Sequence, residues 1–181
     1  MEPQQAPSRK SRFMWIYAAV GLGIVVPDTI TKILVVANLS PGESVTVIPG
    51  TVYLFLTRNS GAAFSLATDF TWLLTSLAVV VVIAITWYAF RQLASKPWAI
   101  GLGLIAGGAT GNLMDRFFRD PGFMHGHVVD FVSVFNEYGQ GFPVFNVADS
   151  SLVIGVGLVI LLELTGRRID GTRHVSSKDD S

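Results

Sequence analysis

Two aspartates, Asp130 and Asp149, each lie within apolar sequence, VVDFV and FNVADSSLVIG. Both belong to residues 111–149, a stretch between two strongly apolar segments that also carries Asp115 and Asp120. An ionisable residue within membrane-grade sequence is costly, which makes it a candidate functional residue. Two carboxyl groups held close together cannot both ionise easily, so they share a proton. The ionised carboxylate can then take a proton from water while the neutral carboxyl hydrogen-bonds a scissile carbonyl, which is aspartic-protease chemistry.

The composition indicates a membrane protein. Of the 181 residues, 50% are hydrophobic and 14% are charged, and the mean hydropathy is +0.51. Soluble domains carry about a quarter charged residues, and this length suits one domain. The formal net charge is zero, so no basic field favours nucleic acid as a partner. The chain has no cysteine, and its three histidines lack metal-site spacing, so neither a metal nor a cofactor is expected.

The elements that must position these acids are predicted to be helices. The sequence contains four apolar segments that we interpret as transmembrane spans: residues 13–36, 72–90, 98–113 and 147–164. The first is about 36 Å long if helical, which is enough to cross a bilayer. It holds Asp28 and Lys32 and ends in no small-residue cleavage site, so it is predicted to be a retained span rather than a signal peptide. In the third, Gly103, Gly107 and Gly111 recur every four residues, which favours close helix packing.

Two intervening segments, residues 38–70 and 114–146, are too polar to cross. In the first, β-branched and aromatic residues at 44–48 and 51–57 flank Pro49-Gly50, which predicts a small β-hairpin. The second is interpreted as an outward loop between the third and fourth helices. The expected fold class is therefore an all-α membrane protein, a four-transmembrane-helix bundle with a small extracytoplasmic β-hairpin or cradle.

Basic residues predict the orientation. Residues 1–12, interpreted as a disordered lead, the 91–97 loop and the polar tail at 166–181 are basic, so they are expected in the cytoplasm, with residues 13–165 as a single embedded domain. The two longer segments would then face outward. This orientation gathers a set of polar residues at or near the outer membrane surface: Asp28, Lys32, Asn59, Asn112, Asp115, Arg116, Asp130, Asn146 and Asp149.

Several of these residues also have a purely structural interpretation. Asp28 and Lys32, four residues apart on one helix, could pair with each other while the lysine reaches the headgroups. Asn59 could form an Asx-turn. Arg116 could be an interfacial anchor, or it could orient nearby carboxylates. Asp149 could cap the fourth helix, although capping leaves the other apolar-embedded aspartate unexplained.

Two functions of other classes are weighed against a protease. A small transporter or proton relay would place ionisable groups near the bilayer midplane, often in repeated halves. Here they gather at one end, and no internal repeat is found. A non-enzymatic assembly factor could use the glycine face of the third helix, but it would leave the paired acids unexplained.

Five short blocks occur in order along the chain: Asp28-Thr-Ile-Thr-Lys32, Arg58-Asn-Ser-Gly-Ala-Ala-Phe64, Gly111-Asn-Leu-Met-Asp-Arg116, His127-Val-Val-Asp130-Phe and Phe145-Asn-Val-Ala-Asp149-Ser. Together with the four apolar segments, they closely resemble the lipoprotein signal peptidases, the type II signal peptidases of bacteria. The first block departs from the family pattern, which commonly has Gln where this chain has Thr29.

The resemblance implies an intramembrane aspartyl endopeptidase with four helices and an outward β-cradle. Such an enzyme removes the signal peptide of a prolipoprotein just before the diacylglyceryl-modified lipobox cysteine. Asp130 and Asp149 would form the catalytic dyad. The residues expected to line or support the substrate site are Asn59, Gly61, Asn112, Arg116, Asn146, Asp28, Lys32 and Asp115. We also expect a monomer in the bacterial cytoplasmic (inner) membrane, surrounded by bilayer lipids and sensitive to globomycin-type inhibitors.

Overall fold

The computed structural model describes residues 9–61 and 70–173. Parts of three predicted segments lie outside these ranges: residues 1–8 of the lead, 62–64 of the second block and 174–181 of the tail. Within the described ranges the chain is mostly helical with one small sheet. Its elements, in order, are α1 (Arg9–Asn38), β1 (Ser44–Ile48), β2 (Val52–Asn59), α2 (Thr71–Gln92), α3 (Lys96–Phe118), β3 (Val128–Val134) and α4 (Val147–Leu164).

Helix bounds differ from the sequence-based ones mainly at the ends. α1 begins at Arg9, so residues 9–12, predicted to be disordered, are helical. Arg and Lys are good helix formers that extend a helix once an apolar segment has nucleated it. α3 continues to Phe118, five residues beyond the third apolar segment, and so carries Asp115 and Arg116 on a helix rather than in a loop.

In the part of the chain that the structure describes, three helical segments are long and apolar enough to cross a membrane: Arg12–Asn38, Thr71–Gln92 and Val147–Leu164. α3 has 23 residues but is less apolar, since it contains several glycines, Asn112 and charged residues. It is also the most central helix, packing against α1, α2 and α4. A helix enclosed by other helices presents little surface to lipid and needs less hydropathy. That α3 is a fourth span stays a prediction.

The sheet has three antiparallel strands in the order β1-β2-β3. The hairpin of β1 and β2 was predicted, but β3 was not, because residues 114–146 were interpreted as a loop. The β3 sequence VVDFVSV is buried along nearly all of its length, so it lacks the alternation of polar and apolar residues that marks a half-exposed strand. Its pairing sets Thr57 opposite Asp130 and Asn59 opposite Val128.

Close backbone contacts hold α3 against its neighbours. A Cβ atom at Gly107 would lie 2.8 Å from the carbonyl oxygen of Gly21 on α1 and 2.9 Å from its Cα. A Cβ at Gly103 would lie 2.8 Å from the carbonyl oxygen of Tyr17. At Gly111 it would lie 2.7 Å from Oδ2 of Asp28, so this glycine makes room for a carboxylate rather than for a backbone.

Replacing Gly107 with Leu should therefore separate α1 from α3. We expect Gly107→Leu to lower the free energy of unfolding by about 1–3 kcal/mol, the usual cost of overpacking. The matched control is Gly23→Leu. Gly23 is also a helical glycine, in α1, but a Cβ atom at this position would meet nothing within 4 Å. Thermal unfolding in detergent compares the two, and equal losses would contradict the packing interpretation.

Candidate active site

The two sequence-predicted acids face one cavity. Asp130 lies in the middle of β3 and Asp149 in the first turn of α4. The cavity has a volume of about 660 Å³. Its lining combines a few polar groups with a mostly apolar wall: Asn59, Asp130, Val134, Phe135, Phe142, Pro143, Val144, Phe145, Asp149, Ser150, Val153 and Ile154. Such a mixture of a polar cluster and apolar walls is typical of a ligand site.

Asp130 is buried and receives two side-chain amide hydrogen bonds. Asn59 Nδ2 donates to its Oδ2 at 3.0 Å, and Asn146 Nδ2 donates to its Oδ1 at 2.7 Å. The pKa of Asp130 is raised to about 6, chiefly because the carboxyl group is buried and also because of the negative charge of Asp149, while the hydrogen bonds from Asn59 and Asn146 act in the opposite direction. The site therefore places two carboxyl groups near enough for their charges to interact, one of them prone to hold a proton.

The α4 cap fixes Asp149. Asn146 is the N-cap residue, and its Oδ1 accepts a hydrogen bond from the backbone N–H of Asp149 at 2.8 Å. Oδ2 of Asp149 accepts in return from the backbone N–H of Asn146 at 3.2 Å. This is a capping box, so Asp149 is not the cap itself but its reciprocal partner. Its remaining oxygen, Oδ1, accepts a hydrogen bond from Asn112 Nδ2 at 2.8 Å.

Asn146 bridges the two acids from a fully buried position. Besides Asp130, its Nδ2 lies 3.2 Å from Oδ1 of Asn112 and 3.3 Å from the carbonyl oxygen of Val129. Neither Asn112 nor Asn146 is among the residues that line the cavity. Both amides thus act behind the carboxylates, where they orient them.

Lys32 is the centre of a buried ionic cluster. Its Nζ lies 2.8 Å from Oδ2 of Asp28, 2.9 Å from Oδ2 of Asp115 and 3.0 Å from Oδ1 of Asn112. The Lys32 side chain is 1% exposed. The predicted pair with Asp28 exists, but the prediction that Lys32 reaches the headgroups is wrong. Its charge is turned inward because a second carboxylate and an amide oxygen, brought by α3, compensate for the lost water.

The two cluster carboxylates also bind backbone groups. Oδ1 of Asp28 accepts the N–H of Ala148 at 2.9 Å, which satisfies a free donor in the first turn of α4. Oδ2 of Asp115 accepts the N–H of Val129 on β3 at 3.1 Å. Oδ1 of Asp115 accepts from Arg119 Nε. Asp115 thus pairs with the residue four positions on rather than with the adjacent Arg116, because neighbouring helical residues face different directions.

Arg116 and Gly61 lie side by side. Gly61 has a φ of +85°, and a Cβ at this position would lie 3.3 Å from Nη2 of Arg116. The N–H of Gly61 donates to Oδ1 of Asn59 at 2.7 Å, so the predicted Asx-turn at Asn59 forms while its amide nitrogen binds Asp130. Nη1 of Arg116 is buried, and it has no hydrogen-bond partner within residues 9–61 and 70–173. Its charge acts on Asp130, Asp115 and Asp149.

Sequence reasoning did not identify the aromatic wall of the cavity. Phe135 and Phe142, in the connection from β3 to α4, are 75% and 50% exposed. The available signal was the presence of large aromatic residues in a segment otherwise rich in turn formers.

His125, in the α3–β3 connection, is exposed, and its Nδ1 lies 3.0 Å from the carbonyl oxygen of Phe123. Within residues 9–61 and 70–173, no three His, Asp or Glu side chains converge as a metal site would require.

Replacing Lys32 with Met should leave two buried carboxylates without their cation. We expect Lys32→Met to cost about 3–5 kcal/mol of unfolding free energy. Arg119→Met is the matched control, since Arg119 is the second cation paired with Asp115 and its own side chain is 21% exposed. We expect its loss to cost up to about 1 kcal/mol of unfolding free energy. The measurement is the unfolding free energy of both variants in detergent. A larger loss in Arg119→Met than in Lys32→Met would contradict the central role of Lys32.

Comparisons with known proteins agree with this arrangement. Residues 20–165 match the family model described as Signal peptidase (SPase) II. The lipoprotein signal peptidase of Rhodococcus jostii (strain RHA1) is 52% identical over 171 residues, covering 94% of this chain and 82% of that protein. The lipoprotein signal peptidase of Mycobacterium avium (strain 104) is 48% identical over 179 residues, covering 99% and 93%.

A solved structure of a bacterial membrane enzyme superposes with a TM-score of 0.69 at 31% identity, covering 82% of this chain and 92% of that one. A second solved bacterial membrane enzyme also gives a TM-score of 0.69, at 29% identity, covering 88% of this chain and 94% of the other. Since the family model spans most of the chain and relatives near half identity cover nearly all of it, the chain belongs to the signal peptidase II family, a family of membrane proteases.

Proposed function

We propose that this chain removes the signal peptide from prolipoproteins, cleaving just before the diacylglyceryl-modified lipobox cysteine by an aspartyl mechanism. The observation that carries the proposal is the convergence of Asp130 and Asp149 on one cavity, with Asn146 and Asn112 bonded behind them. Family membership and relatives that carry the name lipoprotein signal peptidase support the substrate class.

In this mechanism the two carboxyl groups share one proton. The neutral carboxyl hydrogen-bonds the scissile carbonyl oxygen, and the ionised one takes a proton from the attacking water. As the peptide bond breaks, the proton gained from water passes to the leaving nitrogen. The raised pKa of Asp130 supports a proton held on its side of the pair, although the two groups titrate together. Nη1 of Arg116 is buried and has no partner in the described part of the chain, which supports a role in binding substrate polar atoms.

The shape of the cavity supports an entry path along α4. Its wall continues from Asp149 to Val153 and Ile154, which are 74% and 61% exposed. We infer that the apolar signal helix and the attached lipid lie against this face. Phe135 and Phe142 would hold the extended segment at the cleavage site, and a globomycin-type inhibitor would occupy the same cavity.

For the membrane arrangement we propose four spans, with α3 crossing beside the three more apolar helices. The basic residues of the lead, the α2–α3 loop and the tail support a cytoplasmic location for both termini. The dyad, at the other end of the bundle, then lies near the outer face of the bacterial cytoplasmic (inner) membrane. We propose that the enzyme acts as a monomer, with residues 13–165 as its membrane-embedded domain and the lipid-modified prolipoprotein and bilayer lipids as its partners.

Each dyad aspartate should be indispensable. We expect Asp130→Asn and Asp149→Asn each to lower kcat by about 10²–10⁴-fold, since each removes one partner in proton transfer. The measurement is cleavage of a diacylglyceryl-modified prolipoprotein by purified protein. Asp120→Asn, an exposed acid outside the network, is the control and should cleave like wild type. Near-normal turnover by either dyad variant would rule out the two-carboxylate mechanism.

The pH dependence should follow the Asp130 proton. Because the pKa of Asp130 is raised to about 6, the pair keeps its shared proton below this value and loses it as the pH rises. We therefore expect kcat/KM to fall above about pH 6, with an apparent pKa that belongs to the pair.

Asn59→Ala tests the direction of this effect. Its hydrogen bond favours the ionised form of Asp130, so its loss should raise the pKa and move the falling limb to higher pH. Asn38→Ala, which removes an exposed amide bonded to the carbonyl oxygen of Leu34, should leave the limb in place. A shift to lower pH in Asn59→Ala would contradict the assignment.

A further inference from the structure

The segment after α4 folds back onto the bundle at the end opposite to the dyad. Ile169 is 8% exposed and belongs to a core cluster with Leu93, Trp98 and Leu162. The N–H of Ala94 donates to the carbonyl oxygen of Ile169 at 2.9 Å. Nε1 of Trp98 donates to the carbonyl oxygen of Arg167 at 2.8 Å. Residues 166–173, predicted as part of a polar tail, thus form an anchored turn with a defined backbone.

This turn and the α2–α3 loop line an open surface cavity of about 190 Å³. Three arginines line it, Arg167, Arg168 and Arg173, together with Ser95, Pro97, Gly171 and Thr172. A water molecule takes about 30 Å³ in the liquid, so the space suits a phosphate group and its substituents rather than a whole lipid. The two backbone bonds that anchor the turn hold the arginines around this space.

The described residues leave the charges of these three arginines without an ion-pair partner. Among the described residues, none of the three has a carboxylate oxygen within 4.0 Å, since every ion pair there involves Lys32 or Arg119. Asp170 lies in the same turn and interacts with the charge of Arg168. Its Oδ1, however, accepts hydrogen bonds from the backbone N–H and Oγ1 of Thr172 at 2.8 and 2.7 Å. The guanidinium groups therefore remain available to an external anion.

The position of the turn, directly after the end of α4, indicates the source of this anion. α4 has 18 residues, about 27 Å of helix, which is close to the thickness of the bilayer hydrocarbon core of about 30 Å. The turn begins directly after it, so with α4 as a proposed span it would lie at the level of the headgroups. Trp87, at the same end of α2, is 60% exposed and has the guanidinium of Arg91 over its ring at 5.5 Å, an arrangement typical of the interface.

We propose that Arg167, Arg168 and Arg173 bind the phosphodiester group of an anionic phospholipid at the cytoplasmic face. Arginine suits this role because its planar guanidinium binds two phosphate oxygens at once. The site is separate from the catalytic cavity, and it depends on the fold and charge of this end of the bundle rather than on the proposed proteolysis.

The test is lipid binding to the purified full-length protein by native mass spectrometry in detergent. Phosphatidylglycerol and phosphatidylcholine are titrated in parallel. We expect wild type to retain phosphatidylglycerol in preference, and Arg167→Gln/Arg168→Gln/Arg173→Gln to bind it roughly 10- to 100-fold more weakly, the scale expected for three basic residues at a membrane surface. If this variant does not fold, Arg168→Gln/Arg173→Gln replaces it, with a smaller expected loss.

The matched control removes the same charge from the start of α1, at the same end of the bundle, as Arg9→Gln/Lys10→Gln/Arg12→Gln. It should keep the preference for phosphatidylglycerol. An equal loss in this control would show general surface attraction and overturn the proposal, as would unchanged binding in the turn variant. Inorganic phosphate is added as a competitor: displacement of the lipid only at large molar excess supports a lipid site, whereas displacement at equimolar phosphate would overturn the lipid assignment.

Discussion

The buried ammonium group of Lys32 holds the structure together. It lies on α1 and contacts Asp28 on the same helix and Asp115 and Asn112 on α3. Asp28 in turn binds the first turn of α4, and Asp115 binds the backbone of β3. One cation thus joins four elements. Charges buried in this way are tolerated only when each is paired and hydrogen-bonded, which makes the relative placement of these elements specific.

The geometry of the dyad follows from this cluster. Because Lys32 binds Oδ1 of Asn112, the amide nitrogen of Asn112 is directed to Asp149. An amide has one acceptor and one donor end, so fixing one end orients the other. Asn146 does the same for Asp130 while it caps α4. Both carboxylates are therefore held by amides whose orientation is set behind the cavity, where water does not compete.

The two ends of the bundle differ in what they bury. At the dyad end, Gly111 makes room for the carboxylate of Asp28, beside the apolar cluster of Val35, Leu56, Val129 and Phe131. At the opposite end, Trp98, Leu93 and Ile169 form an apolar cluster that anchors a basic turn. This difference between the two ends fits the proposed arrangement, with proteolysis near one membrane surface and headgroup binding at the other. It is also unlike a transporter, whose ionisable groups would lie along a path near the midplane.

The sequence alone identified the apolar helices, the β1–β2 hairpin and the two acids that line the cavity, together with the amides bonded to them, because burying a charge or amide in apolar sequence is rare and costly. It did not identify Ser150 in the cavity wall or Arg119 beside Asp115. The five blocks also identified the family. Tertiary structure alone decided how these residues are connected. β3 was missed because a strand buried on both faces has no alternating pattern, and its partner β2 is remote in sequence.

The inward direction of Lys32 depended on Asp115 and Asn112, which α3 brings to it from 80 or more positions along the chain. The role of Asp149 depended on which neighbour capped α4, since Asn146 and Asp149 are both good capping residues. Composition and spacing indicate that a polar group is costly to bury. Which partners compensate for this cost is decided by packing between segments that are far apart in the sequence.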